Sequence, residues 1–520
     1  SKAAVFAYGE SLRGECRPQG VQVVTTAPGY IDTPLTQRNR YRMPFLMAPE
    51  AFADRAFAHI GAGVRKRFIP WQMGGVAGLL GLGRGAAGTA ALAGPVLAAG
   101  SDLSLALGLL TLFVAAIVAT FSLRYMRADA GSDRFFLTLG ALVVAVLAFL
   151  FTGHLVVLGA AWCASGVLLA RLIGHDRKWH EAGGAARRAR RAFAVGDAAL
   201  LAALGLLGWQ TGAWQVDAVL AGASALPPPL INGAALLLVV AAAARCALAP
   251  FSGWLLSSMT APTPVSALMH AGLVNAGGFL LIRFAPVLEA APAARIAAVA
   301  LGLCSALYGI GIMLVRPDVK RALAGSTVSQ MGFMIMSCGL GAYAAALWHI
   351  IAHGLFKAWL FLGAGSAIGM RAGTPVAALP GGATLFIAAG TAGVALGVVW
   401  FGDGDGGLVP LLLGAATAAS ALVAALGGKT PTRAKMTALL ALAALIAFHA
   451  AGLTLAAMAV GADATPLLPG WGLLALLLAF LSAWTWQQHR LASGRGLPLP
   501  LYVRLINAGA LPATGTGEAK

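Results

Sequence analysis

Three ionisable residues recur at every fourth position of an otherwise apolar run. His349, His353 and Lys357 lie in the stretch ALWHIIAHGLFKAWLFLGAG. Side chains four residues apart share one face of an α-helix, so the run places two imidazoles and one amine in a single stripe. An ionisable group inside a membrane costs roughly 2.5–3.5 kcal/mol on insertion scales and usually faces a polar interior. The spacing therefore predicts a stripe that takes up and releases protons.

The same two histidines also have the spacing of metal ligands. No Glu or Cys completes a site with His349 and His353, whereas a catalytic zinc site needs a third protein ligand. The five cysteines are scattered and form no C-x-x-C pair, which is typical of small core residues. We therefore expect neither a metal nor a cofactor on this chain.

Composition predicts the elements that carry the stripe. The chain has 520 residues, of which 59% are hydrophobic and 10% charged, with a mean hydropathy of +0.82. Apolar runs close to the roughly 20 residues that cross a bilayer recur from about Leu103 to Trp486. They include 103–123, 135–153, 195–208, 296–315, 382–401 and 436–460. We expect an all-α polytopic membrane protein with about a dozen transmembrane helices.

The net charge of +18 does not require a nucleic-acid partner. The basic residues fall largely in the first 85 positions, in short loops and at helix ends, where the positive-inside rule explains them. The run Arg187, Arg188, Arg190 and Arg191 is interpreted as a cytoplasmic loop, with contact to anionic lipid as the alternative. Membrane lipid is thus the expected surrounding, and we expect no nucleic acid.

Prolines interrupt the apolar pattern in residues 244–284. Pro250, Pro262 and Pro264 remove backbone donors and clash with the preceding turn, so the helix should break or kink there. Broken membrane helices are tolerated where they line a cavity, and they often mark ion sites. We expect Arg245 before the break and His270 after it to face a polar interior. The alternative is that Arg245 reaches a membrane surface.

A charged cluster opens the next polar helix, in RPDVKRALAGSTVSQMGFMIMSCGL. Asp318 lies near the predicted helix start, where its charge suits the helix dipole. Lys320 and Arg321 are either loop charges or functional groups, and the residues alone leave both readings open. The helix also carries Ser326, Thr327, Ser329 and Gln330.

Together these stretches resemble the antiporter-like membrane subunits of respiratory complex I and Mrp-type cation/proton antiporters. The resemblance is densest in APTPVSALMHAG, DVKRALAGSTVSQMG and HIIAHGLFKAWLF. It implies a row of lysines, histidines and a carboxylate at mid-depth of the membrane, connected by water. Carried over residue by residue, it implies a proton path through His270, Lys320, His349, His353 and Lys357, with Arg245 and Asp318 as electrostatic residues.

The chain departs from this pattern at the first half-channel. It reads Trp162-Cys163 where complex I subunits have Trp-Glu, so the carboxylate expected to pair with the broken-helix lysine is absent. That lysine is Arg245 here, and arginine stays protonated in proteins. The first half-channel is therefore expected to be inert or reassigned. Lys429 and Lys435 are expected in a loop, so the second broken helix lacks its lysine.

The shortened arrangement most resembles the membrane subunit of DAB-type inorganic-carbon transporters, on RRARRAF, PTPVSALMHAGLVNAGGFLLIRF and LYVRLIN. This implies a multi-pass protein of the bacterial inner membrane that conducts protons or sodium ions to drive uptake of CO2 or bicarbonate. It implies a transporter subunit rather than an enzyme, with a large soluble partner that carries a zinc site like that of a β-type carbonic anhydrase. The alternative is a proton-translocating subunit of complex I or of an Mrp antiporter.

Residues 1–83 differ from the rest and resemble the carboxy-terminal part of a short-chain dehydrogenase. The resemblance lies in SKAAVFAYGESLR, VVTTAPGYIDTPLT and KRFIPWQMG, with a charged helix expected around Ala51 to Lys66. The family's catalytic tyrosine would precede Lys2, and its pyrophosphate-binding turn would lie further upstream. A start inside this motif suggests a truncated product, a gene fusion or an error in the gene boundaries. We expect an incomplete α/β segment at 1–83 and a transmembrane domain at 84–520, with dehydrogenase activity as a remote alternative.

Overall fold

The computed structural model of the chain describes residues 25–28, 48–51, 53–54, 66–69, 101–367, 381–401, 407–426, 432–461, 464–493 and 496–510. The chain divides into two compact units, Ser1–Gly94 and Pro95–Lys520.

The first unit contains two short parallel strands, β1 (Thr25–Pro28) and β2 (Lys66–Ile69). Thr25 is opposite Lys66, and Pro28 is opposite Ile69. Parallel strands need a long crossover connection, and the chain between them is long enough to form one. β1 falls within the stretch VVTTAPGYIDTPLT, whereas Lys66 begins a strand instead of ending the predicted helix. Most of the helix predicted from Ala51 lies outside the described residues, and the dehydrogenase resemblance stays a prediction.

The second unit is helical throughout its described part. Its first half comprises α1 (Asp102–Tyr125), α2 (Ser132–Phe151), α3 (Leu155–Ile173), α4 (His180–Thr211), α5 (Val216–Ala223), α6 (Pro228–Arg245), α7 (Gly253–Ser257), α8 (Thr263–Ala271), α9 (Ala276–Arg283) and α10 (Ala285–Glu289). Its second half comprises α11 (Pro292–Val315), α12 (Val319–Gly339), α13 (Tyr343–Gly363), α14 (Gly381–Phe401), α15 (Leu408–Leu426), α16 (Thr432–Val460), α17 (Gly470–Ala492) and α18 (Leu499–Ile506).

Eleven helical segments of the described part are long and apolar enough to cross a membrane. This confirms the prediction of an all-α polytopic membrane protein. α12 is more polar than these segments, but its 21 residues reach about 31 Å at 1.5 Å per residue, which also spans a bilayer core. Successive membrane spans are therefore expected to alternate in direction, and their outer ends to lie at one of two membrane faces.

One of these faces carries most of the basic residues of the described helix ends. Arg124 ends α1, Arg187 to Arg191 lie in the first half of α4, and Arg316 and Arg321 flank the start of α12. Because cytoplasmic loops are enriched in Lys and Arg, this face is assigned to the cytoplasm. The opposite, extracytoplasmic face holds the junctions α2–α3, α4–α6, α9–α11 and α12–α13.

The interpretation of residues 187–191 as a loop is wrong. α4 runs without a break from His180 to Thr211 and includes all four arginines. Alanine and arginine are both strong helix formers, so the transmembrane helix continues through this segment. Arg188 donates to the backbone oxygens of Gly509 and Ala510, at 3.0 and 2.9 Å, and so holds the chain after α18.

Lys435 also departs from its predicted place. It lies in the first turn of α16, not in a loop, whereas Lys429 lies outside the described residues. The helix begins only three residues before Lys435, so the side chain is close to the cytoplasmic end and far from mid-membrane. The second broken-helix position therefore gains no lysine from this residue.

Glycines let α11 and α12 pack with their backbones in close contact. A methyl group placed on Gly332 would lie 2.6 Å from the backbone nitrogen of Ala306 and 2.6 Å from the backbone oxygen of Gly302. Such contacts are typical of small residues at membrane helix interfaces. The close packing fixes α12 against α11, so that its other face meets α13 and the broken helix.

Candidate functional site

The helical pattern is interrupted between α6 and α8, where the prolines predict a break. α6 ends at Arg245, and Pro262 precedes the new helix α8, which has Pro264 in its first turn. A short 3-10 segment, Leu273–Asn275, then separates α8 from α9. The two ionisable residues that flank this break are both buried, with Arg245 1% exposed and His270 fully buried.

The stripe of α13 faces the protein interior. The rings of His349 and His353 are stacked, with centroids 5.5 Å apart and planes 16° apart. His353 is 7% exposed and Lys357 only 1% exposed. All three side chains line one cavity of about 1720 Å³. The predicted common face is thus confirmed, while its role in proton transfer stays a prediction.

This cavity runs from the extracytoplasmic helix ends to Lys357. Asp217, Glu289 and Tyr343 line it at that end, and Lys357 lines it at the other. The distance from Tyr343 to Lys357 along α13 is about 21 Å at 1.5 Å per residue. The cavity therefore crosses more than half of the membrane and leads from the extracytoplasmic face to the buried amine.

A network of hydrogen bonds fixes the extracytoplasmic rim of this cavity. Glu289 accepts hydrogen bonds from the hydroxyl of Tyr343 and from Nη1 of Arg295, both at 2.8 Å. Its carboxylate also accepts from the backbone N–H of Thr465 at 2.9 Å. Arg295 is 2% exposed and donates further to the backbone oxygen of Gly339 at 3.0 Å. The rim is consequently held by residues from five separate parts of the bundle.

Two nitrogen atoms of the stripe have no hydrogen-bond partner among the described residues. They are Nε2 of His349 and Nε2 of His353, and both atoms are buried. Most buried polar atoms in proteins are hydrogen-bonded, so such an atom beside a cavity needs an explanation. A neutral imidazole nitrogen accepts a hydrogen bond or a proton, which suits bases that line a cavity of this size.

Lys357 and His270 are connected through α12. Nζ of Lys357 donates to the backbone oxygen of Leu323 at 2.9 Å, and the hydroxyl of Thr327 donates to the same oxygen at 3.0 Å. Oγ1 of Thr327 is also 3.0 Å from Nδ1 of His270, whose ring stacks on Phe361 at 4.1 Å. The sequence marks Thr327 only as a polar residue of its helix, and no side-chain pattern can reveal a backbone oxygen such as that of Leu323.

Arg245 is held in a closed set of partners. Nη2 donates to Oδ1 of Asp197 at 3.0 Å and to the backbone oxygen of Trp162 at 3.1 Å, and Nη1 donates to the hydroxyl of Ser165 at 3.0 Å. The guanidinium carbon lies 4.3 Å from the ring centre of Trp162 and 4.8 Å from that of Phe193. The alternative in which Arg245 reaches a membrane surface is therefore wrong.

The predicted absence of a carboxylate partner is also wrong. Asp197 supplies it from α4, one helix further along the chain than the Trp162-Cys163 position of α3. Sequence reasoning missed Asp197, although an acidic residue inside the apolar stretch AFAVGDAALL was a signal available from the chain alone.

Lys320 and Asp318 lie apart from the buried stripe. Asp318 caps α12 and accepts from the backbone N–H of Arg321 at 2.8 Å, which confirms its predicted place at the helix start. Lys320 lines a second cavity of about 960 Å³ at the cytoplasmic face, together with Thr263 and Arg316. The structure thus brings His270, His349, His353 and Lys357 together, but it leaves Lys320 at the cytoplasmic end of α12.

Within the described ranges, no three His, Cys, Asp or Glu side chains form a group that could hold a metal ion. Lys357 follows His353 by one helical turn. A lysine ammonium has no lone pair, so it cannot serve as a third metal ligand beside the two histidines. The site is therefore chemically a row of nitrogen bases beside a cavity.

Comparisons with known proteins agree with this geometry. A family model described as NADH:quinone oxidoreductase/Mrp antiporter, transmembrane, matches residues 152–382. The chain is 41% identical over 266 residues to the probable inorganic carbon transporter subunit DabB of Bacillus subtilis, covering 50% of this chain and 52% of that protein. It is 35% identical over 294 residues to NADH-quinone oxidoreductase subunit L of Mycobacterium tuberculosis, covering 53% and 46% of the two chains.

A solved structure of the Mrp complex from Dietzia sp. is also similar, with a TM-score of 0.55, 26% identity and coverage of 76% of this chain and 49% of that chain. The chain spans about half the length of the curated relatives it matches. The matched segment contains the broken helix, α12 and the stripe of α13. Over residues 152–382, this multi-pass membrane chain is similar to the antiporter-like membrane subunits of respiratory complex I and Mrp antiporters.

Proposed function

We propose that this chain is the proton-conducting membrane subunit of an energy-coupled inorganic-carbon uptake complex in a bacterial inner membrane. The observation that carries the proposal is the row of His349, His353 and Lys357, which lines one cavity between the extracytoplasmic face and the membrane interior. Several similar proteins are named probable inorganic carbon transporter subunits, with identities of 32–41%.

The chemistry of the cavity favours protons over sodium ions. Sodium prefers several oxygen ligands, as other hard cations do, whereas the deep part of the cavity presents two imidazoles and an amine, with side-chain oxygens only from Ser326 and Gln330 among the described lining residues. An ammonium group has only donors and repels a cation, but it can release a proton. In the described lining, the carboxylates of Asp217 and Glu289 stay at the extracytoplasmic end.

A proton would enter at this end and move inward along α13. His349 and His353 receive it first, since they lie between Tyr343 and Lys357 on the same helix. Lys357 then holds it at the inner end of the cavity, where Nζ donates to the backbone oxygen of Leu323. His270 and Lys320 extend the path towards the cytoplasmic cavity, while Arg245, neutralised by Asp197, contributes a fixed charge.

Proton flow would be coupled to a soluble partner subunit. We propose a large subunit with a zinc site of the β-carbonic-anhydrase type, which hydrates CO2 on the cytoplasmic side. The basic cytoplasmic face, with Arg187, Arg190 and Arg191, offers positive charge to such a partner. Zinc chemistry then belongs to the partner, and this chain supplies the energy from the ion gradient.

A second candidate is a proton-translocating subunit of complex I or an Mrp antiporter. The similarity to subunit L of Mycobacterium tuberculosis and to the Dietzia Mrp complex favours it. Arg245 disfavours this second candidate, because an arginine cannot release a proton as the lysine expected at this position would. Purification of the chain from its native membrane distinguishes the two, since the co-purifying subunit is either a soluble zinc protein or a quinone-linked or antiporter subunit.

The functional test uses a bacterial strain that needs an inorganic-carbon uptake system to grow in air. Co-expression of this chain with its native partner should restore growth at ambient CO2, and Lys357→Ala should abolish the rescue. Lys178→Ala, on an exposed cytoplasmic loop, is the matched control and should rescue fully. Full rescue by Lys357→Ala at an equal level in the membrane would refute the proposal.

A further inference from the structure

A segment of buried side chains separates the two cavities along the proposed path. Lys357 lines the larger cavity, whereas Lys320 and Thr263 line the cytoplasmic one. His270 lies seven residues beyond Thr263 on α8, and Thr327 lies seven residues beyond Lys320 on α12, which is about 10 Å of helix in each case. Both residues are fully buried and line neither cavity. These two polar side chains, together with the buried Ser266 of α8, therefore lie between the two cavities.

The hydroxyl of Thr327 determines which nitrogen of His270 carries a proton. A hydroxyl has one proton to donate, and Thr327 directs it to the backbone oxygen of Leu323 at 3.0 Å. Its contact with Nδ1 of His270, also 3.0 Å, must then be a hydrogen bond that the hydroxyl accepts. This arrangement places the proton of neutral His270 on Nδ1 and leaves a lone pair on Nε2.

The opposite arrangement is less favourable. If Thr327 donated to Nδ1, neutral His270 would carry its proton on Nε2. That atom is buried and has no hydrogen-bond partner among the described residues. A buried N–H without an acceptor is rarer and more costly than a buried lone pair without a donor. The stacking of His270 on Phe361, with ring planes 14° apart, further restricts rotation of the imidazole.

We propose that Thr327 is a positioning residue that holds His270 as its Nδ1–H tautomer, so that Nε2 is the proton acceptor between the two cavities. The proposal rests on the proposed proton conduction. His270 accepts one proton at Nε2, becomes an imidazolium that donates from both nitrogens, and returns to the neutral form when Nε2 releases that proton. The bond from Nδ1–H to Thr327 persists throughout, so each transfer begins from the same tautomer.

The backbone oxygen of Leu323 links this tautomer to Lys357. It accepts from Nζ of Lys357 and from the hydroxyl of Thr327, in addition to the helical bond from the backbone N–H of Thr327, so three donors share this one oxygen. Lys357, the proton donor, and His270, the proton acceptor, are thereby both held by the turn of α12 from Leu323 to Thr327. Loss of the Thr327 hydroxyl removes this connection without removing an ionisable group.

The test compares Thr327→Val with Thr327→Ser in the full chain, reconstituted into liposomes. Proton flux is measured with an entrapped pH dye under a potassium diffusion potential. Valine keeps the shape of threonine without the hydroxyl, so flux should fall about tenfold, as expected for one buried hydrogen bond. Serine retains the hydroxyl and should restore most of the flux. Thr391→Val is the matched control, because it removes the same kind of bond, from Thr391 to the backbone oxygen of Ile387, on α14.

Nitrogen NMR of ¹⁵N-labelled histidine rings gives a readout that does not depend on flux. With His270→Asn as the assignment variant, the His270 signals should show the Nδ1–H tautomer in the unmodified chain and a shift towards Nε2–H in Thr327→Val. An Nε2–H tautomer in the unmodified chain would overturn the inference. Thr391→Val should leave these signals unchanged.

Lys357→Ala separates the two proposals. If Lys357→Ala conducts as the unmodified chain does, the proposed function fails. If Lys357→Ala loses flux but Thr327→Val keeps it, only the role of Thr327 is wrong. Should Thr327→Val not fold, His270→Asn decides, because asparagine retains a donor near Nδ1 but has no Nε2. His270→Asn should lose flux as fully as Lys357→Ala, and normal flux in it would overturn the inference.

Discussion

Asp197→Asn should destabilise the membrane domain more than any exposed substitution. Arg245 is 1% exposed and Asp197 18% exposed, and their charged atoms lie 3.0 Å apart. Removal of one partner from a buried ion pair typically costs about 3–5 kcal/mol, because the other charge is left buried without compensation. Arg245 would keep its bonds to the Trp162 oxygen and the Ser165 hydroxyl, so we expect the lower end of this range.

A loss of about 3 kcal/mol corresponds to a change of roughly a hundredfold in the unfolding equilibrium. It is measured as the free energy of unfolding of the purified chain in detergent, from the helical circular dichroism signal during titration with SDS. The double variant Asp197→Asn with Arg245→Met removes both charges and should recover most of the loss, since a buried ion pair can often be replaced by apolar side chains without cost. The reasoning is refuted if the single variant loses less than about 1 kcal/mol, or if the double variant is no more stable than the single one.

Two further substitutions probe helix packing and the cytoplasmic loops. Gly332→Ala places a methyl group 2.6 Å from the backbone nitrogen of Ala306 and should cost about 1–3 kcal/mol in the same SDS titration, whereas Gly390→Ala, with no atom within 4 Å, should leave stability unchanged. The backbone N–H of Gly131 donates to Asp129 between α1 and α2 and lowers the pKa of that carboxyl below its usual value. Because the folded-state pKa of Asp129 is depressed, this stabilisation is present above about pH 4 and is lost as the pH falls further. Asp129→Asn should therefore lower the melting temperature slightly at pH 7 and not at pH 3. An equal decrease in melting temperature at pH 7 and at pH 3 would contradict this assignment.

The helical architecture could be predicted because burial in lipid demands long apolar segments. The stripe of α13 was readable for a related reason, since a period of four residues on a helix puts His349, His353 and Lys357 on one face. The break near Pro262 was readable because proline removes a backbone donor whatever its tertiary surroundings. In these cases local chemistry alone determines the outcome.

Contacts between helices could not be predicted in the same way. The pairing of Arg245 with Asp197 depends on how α4 and α6 pack, and no spacing within one helix encodes it. The link from Lys357 to Thr327 passes through the backbone oxygen of Leu323, and every residue has such an oxygen. The arginines near residue 188 suggest a loop because charge favours water, yet a helix can extend beyond the bilayer and stay solvated.

The measurement that tests the central claim most directly is proton flux through the purified chain with Lys357→Met. Methionine keeps the length of the side chain and removes its proton, and Lys178→Met on the exposed loop is the matched control. With equal amounts of folded protein in liposomes under the same membrane potential, Lys357→Met should reduce flux to the level of empty liposomes, while Lys178→Met conducts normally. Undiminished flux in Lys357→Met would show that protons do not pass through the buried row of α13.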